Sequence, residues 1–78
     1  MKTTAFASRL RELREAAKLT QHDLATRIGV RESQINSYER GRAVPRVERL
    51  ARIAEAVGGD VSELATLAVA DADAGAAA

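Results

Sequence analysis

The stretch Leu19–Gly41, LTQHDLATRIGVRESQINSYERG, constrains the fold of this chain more than any other. With Gln21 as its first position, its large apolar positions are Leu24, Ile28, Val30, Ile35 and Tyr38. Leu24 to Ile28 is an i, i+4 step and Ile35 to Tyr38 an i, i+3 step, so each pair shares one face of its own helix. Between them Ile28-Gly29-Val30 turns the chain. Gly29 can take a positive φ without a Cβ penalty, as a sharp turn between helices needs. Ala25 is small where the second helix must come close. Thr20 stands as an N-cap, and Asp23 in the first turn suits the helix dipole. The spacing predicts one helix from Gln21 to about Ile28 and another from about Glu32 to Arg40, stopped by Gly41.

The flanking sequence adds three more helices. Thr3 or Thr4 can cap a first helix on which Phe6, Leu10, Leu13 and Ala17 form one apolar stripe. Arg9, Arg11, Glu12, Glu15 and Lys18 fall largely elsewhere, as a solvated face does. Gly41 to Pro45 reads as a loop, with the proline just before a fourth helix over about Arg46 to Val57. Val47, Leu50, Ile53, Ala54 and Val57 are its predicted buried stripe, and Gly58-Gly59 ends it. Asp60-Val61-Ser62-Glu63 has the form of a capping box opening a fifth helix. That helix carries more apolar positions than one edge of so small a bundle needs. Leu64, Leu67 and Ala68 are therefore expected in a two-fold dimer interface. From Ala70 the chain reads ADADAGAAA, with almost nothing large to bury, so disorder is expected there. The fold class is all-α, with a domain over residues 1–69 and a tail over 70–78.

Seventy-eight residues allow one small domain. There is no cysteine to staple it or to bind zinc. So small a core leans on well-packed helices or a partner subunit. All twelve lysines and arginines lie at or before Arg52 with six of the eleven acids, which leaves that segment at +6 and the remainder at −5. A basic front and an acidic back suit a protein that turns one side to a polyanion. No apolar run is long enough to span a bilayer and no signal-peptide pattern opens the chain, so a cytoplasmic protein is expected. An enzyme is not expected: there is no thiol, no glycine-rich phosphate loop and one histidine. His22 has no second ligand at a suitable spacing, so no metal and no cofactor are expected.

The stretch resembles the helix-turn-helix of the phage-repressor and Cro type, often called the Xre family. Thr20-Gln21, Leu24-Ala25, Ile28-Gly29-Val30, Ile35 and Tyr38-Glu39-Arg40-Gly41 carry the resemblance without a gap, and it extends from about Phe6 to Leu67. It implies a five-helix bundle of the lambda-repressor type whose third helix reads the major groove of double-stranded DNA. It also implies that Arg14 meets Glu39 in an ion pair.

With Ile35 and Tyr38 inward, the opposite face of the third helix is centred on Ser33, Ser37 and Arg40 and flanked by Asn36 and Glu32. The resembling family places its base contacts at Glu32, Ser33, Asn36 and Ser37. Glutamate accepts from the cytosine amino group, asparagine pairs with adenine through two bonds, and serine is tolerant. Glu32 would equally serve as a complement to the positive helix N-terminus. The Gln21 amide and the free N–H groups of its helix can bind a phosphate. Arg40, Arg42 and Arg46 frame the next loop as phosphate partners. Arg31 departs from the family, which places Ser or Thr at this N-cap, and a DNA phosphate there would offset the missing cap.

These features predict a sequence-specific transcriptional regulator, most simply a repressor, acting as a homodimer on a near-palindromic operator. An antitoxin that binds a toxin protein and represses its own promoter is a second possibility. A restriction–modification controller protein is a third.

Overall fold

The computed structural model describes residues 4–77, with side chains through Asp71. Five helices follow in order: α1 (Ala5–Ala16), α2 (Gln21–Ile28), α3 (Glu32–Glu39), α4 (Val47–Val57) and α5 (Val61–Ala77). No strand occurs among the described residues. α2 packs on α3 and α4, while α1 lies against α3 and α5. The core draws on every helix: Phe6 and Leu10 from α1, then Leu24, Ile35, Ile53 and Leu64 from α2 to α5, are fully buried. With one Phe and one Tyr in the chain, branched aliphatic side chains fill this interior.

Local signals set the boundaries. Thr4 caps α1, its hydroxyl accepting from the Ala7 N–H at 3.2 Å. Thr3, the other cap candidate, lies outside the described residues. Thr20 and Asp23 form a full capping box on α2: the Asp23 N–H donates to Thr20 Oγ1, and the Thr20 N–H donates to Asp23 Oδ2, both at 2.9 Å. Gly29 then takes φ +75° and turns the chain into α3. Gly41, at φ +73°, also faces a close neighbour, since a Cβ there would come within 3.1 Å of the Thr4 methyl group. At the end of α1 the same left-handed conformation falls on Lys18, at φ 61°. The Leu19 N–H closes that turn onto the Arg14 carbonyl at 3.1 Å.

The Asp23 carboxyl is held below its ordinary value, first by the hydrogen bond from the Thr20 backbone and then by the Thr20 side chain. A carboxyl whose folded pKa is depressed contributes stability above its unfolded pKa and loses it as pH falls through the folded value. Thr20→Ala should destabilise by about 0.5–2 kcal/mol, because the Asp23 N–H loses its acceptor. Asp23→Ala, which removes the depressed carboxyl itself, should be less stable than the wild type at neutral pH and converge on it as pH falls below the ordinary aspartate range. A gap that persists unchanged at acid pH would separate the cap from the Asp23 charge.

Four expectations are corrected. Leu64 and Ala68 are buried within the protomer, at 0% and 3% exposure, so neither can line an interface; Leu67 is half-buried against the same core. The apolar stripe of α5 is the lid over α1 and α4. Val47 opens α4 and is 62% exposed, because the helix reaches the core only one turn later, at Leu50; Pro45 is buried ahead of it. Asp60 caps α5 through the Ser62 N–H at 2.8 Å, but Glu63 does not reach back. It turns instead to Arg9 on α1, at 3.0 Å. Finally, α5 continues to Ala77 where disorder was expected from Ala70, and of that tail only Ala78 lies outside the description. Alanine is the strongest helix former. Asp71 also has a structural task, its Oδ2 accepting from the Phe6 N–H at 3.0 Å and capping α1. The folded unit thus extends beyond residue 69.

Candidate nucleic-acid interface

α3 buries Ile35, Tyr38 and Glu39 and turns the rest of its circumference outward. Glu32, Ser33 and Arg40 are exposed, and Asn36 and Ser37 are half-exposed beside them. All the residues expected to read bases therefore share one face of one helix. Gln21, Glu32, Ser33 and Asn36 together border a shallow depression of about 390 Å³ where the start of α2 meets α3. On the other flank, Gln34 and Tyr38 of α3 meet Val44, Pro45 and Arg46 across an open groove of about 470 Å³.

Arg31, Arg40, Arg42 and Arg46 are all exposed around this face. Arg31 and Arg46 occupy the N-cap positions of α3 and α4, and neither makes a side-chain cap bond. These two helix starts therefore carry cations instead of acceptors and keep free N–H groups in their first turns. An anion would satisfy both features at once.

Behind the face sits the ion pair. Arg14 Nε donates to Glu39 Oε2 at 2.6 Å, Nη2 donates to Oε1 at 3.0 Å, and Nη1 donates to the Leu19 carbonyl at 2.7 Å. The hydrogen bond from Arg14 to Glu39, with the charge of that acid, holds the Arg14 pKa above the ordinary value against the opposing effect of burial. No buried side-chain nitrogen or oxygen among the described residues lacks a partner.

One placement differs from the sequence expectation. The Gln21 side chain is half-buried and turned inward: its Nε2 donates to Glu39 Oε1 at 3.2 Å, and its Oε1 accepts from Asn36 Nδ2 at 3.4 Å. Of the groups expected to hold phosphate at this point, the first-turn N–H groups of α2 remain, with that of Asp23 already taken by Thr20. The Tyr38 hydroxyl accepts from Arg49 Nη1 at 2.9 Å. Neither partner could be found from local spacing, since both join different helices. His22 Nδ1 lies 3.8 Å from Glu32 Oε1, both largely exposed. No cluster of metal-ligating side chains occurs among the described residues, and no helix there is long and apolar enough to cross a membrane.

A glycine turn that sets a polar helix across the end of another, framed by arginines, defines a DNA-binding helix-turn-helix fold of the phage-repressor and Cro type. The sequence profile described as "Helix-turn-helix domain" matches residues 5–67, and the chain belongs to that family. It is 34% identical over 59 residues to the cryptic phage CTXphi transcriptional repressor RstR of Vibrio cholerae, covering 76% of this chain and 53% of that protein. It is 45% identical over 49 residues to multiprotein-bridging factor 1 of Debaryomyces hansenii, covering 63% of this chain. The match spans only 33% of the length of that fungal relative. Among solved structures, the restriction-modification controller protein C.AhdI of Aeromonas hydrophila superposes with a TM-score of 0.70 at 36% identity, covering 76% of this chain and 89% of that one.

Proposed function

We propose that this chain is a sequence-specific transcriptional regulator, most simply a repressor, that lays α3 in the major groove of a near-palindromic operator as a homodimer. The observation that carries the reading is the single outward face of α3, where Glu32, Ser33, Asn36 and Ser37 stand opposite the buried Ile35 and Tyr38. These side chains are short, polar and matched to base edges. Arg31, Arg40, Arg42 and Arg46 take the phosphates on either side, which sets register and orientation without reading sequence. One such helix covers only a few base pairs, so a two-fold pair of protomers doubles the site. The regulator acts where its DNA is, in the cytoplasm.

The likeness to C.AhdI, which extends over most of that protein, favours a controller role as the second reading. A restriction and methylation pair encoded beside this chain would support it.

The phosphate assignment is tested by salt titration. Arg42→Ala and Arg46→Ala should each weaken binding to operator and random DNA alike. The slope of log K against log salt should become shallower by about one unit for each phosphate that is no longer neutralised. Slopes unchanged in both variants would remove these residues from the interface.

A further inference from the structure

We propose that Gln21 is a positioning residue for base reading: held by Glu39, it fixes which way round the Asn36 amide faces the groove. The inference rests on the reading of α3 as the base-contacting helix.

Ionised Glu39 can only accept hydrogen bonds, and it already accepts twice from Arg14. The edge of Gln21 that faces it must therefore be the NH2 edge, 3.2 Å from Glu39 Oε1. A carboxamide carries its oxygen on the opposite edge, and that oxygen faces Asn36 at 3.4 Å. Since the oxygen can only accept, the edge of Asn36 turned towards Gln21 is its NH2. Each amide orientation follows from the one before, back to an acid locked in the interior by Arg14. At 3.4 Å the last link is long, so its effect is on direction more than on strength.

Half-exposed Asn36 keeps Oδ1 and its second N–H available for a base. Adenine offers an N6 donor and an N7 acceptor in the major groove, which these two groups match. Because the nitrogen edge is pinned on the Gln21 side, N7 must lie on that side and N6 on the other. The order suits adenine on one strand of the base pair and not on its complement. A free asparagine could turn over and accept adenine from either strand. The relay thus converts a preference for an A·T pair into a preference for its orientation.

Gln21→Met keeps the length and apolar bulk of the side chain and removes both amide groups. Binding-site selection on wild type and variant, side by side, reads the effect. In the wild type, A·T should exceed T·A by about tenfold at one position per half-site. The variant should bring that ratio close to one and leave the other positions as they were. In the free protein, the Asn36 side-chain amide should show a lower NMR order parameter in the variant. A variant that weakens binding equally at every sequence, with the strand preference intact, would make Gln21 a phosphate contact only and overturn the proposal. An Asn36 amide equally ordered in both proteins would overturn it too, and does not depend on DNA. A wild type with no base preference at any position would instead reject the reading of α3 itself.

Discussion

Glu39→Ala is expected to lower the unfolding free energy by about 3–5 kcal/mol, because it strands a buried guanidinium. The side chains of Arg14 and Glu39 are 10% and 4% exposed, and two bonds join them in a planar fork. Removing the acid leaves Arg14 with the Leu19 carbonyl as its one remaining acceptor. For a chain of this length the whole stability is on the order of 4–12 kcal/mol, so the loss would leave a large unfolded population. The effect should hold across neutral and alkaline pH. A folded Arg14 pKa raised by its partner preserves its contribution until pH passes that value, beyond the working range. The comparison is the urea midpoint of Glu39→Ala against that of Glu12→Ala, an exposed acid on the same molecule. Equal shifts would show that the pair ties nothing together.

Leu64→Ala should cost about 2–5 kcal/mol, by lost burial and by the cavity left where α5 closes over α1 and α4. Leu64 is fully buried in a core to which all of them contribute. The loss should be the same at low and high protein concentration, since the residue packs within the protomer. A destabilisation that vanishes at high concentration would return Leu64 to a subunit interface.

Leu64 also shows where sequence reasoning reached its limit. The period of Val61, Leu64, Leu67 and Ala68 marks an apolar face but carries no information on what covers it. Packing against α1 and packing against a second protomer produce the same pattern. The turn was legible because its constraint is local: Gly29 needs its positive φ, and Ile35 and Tyr38 can share a face in only one register. Arg31 as an uncapped helix start was legible for the same reason. The left-handed Lys18 was not, because glycine is the usual signal for that conformation and is absent there. The links from Gln21 to Glu39 and Asn36, from Tyr38 to Arg49 and from Asp71 to Phe6 all cross between helices. Each depends on the packed geometry and has no spacing signature. The helical run past Ala70 was missed because low burial was read as disorder, while alanine needs little burial to stay helical.

The central claim is that α3 reads bases, and selection of bound fragments from a random pool of double-stranded DNA tests it most directly. The predicted result is an inverted repeat whose half-sites each prefer cytosine opposite Glu32 and adenine opposite Asn36. One wrong base at either position should cost about 1–3 kcal/mol. A pool that emerges as random as it entered, from protein that still binds DNA, would contradict the claim and leave a basic fold that holds phosphates without reading sequence.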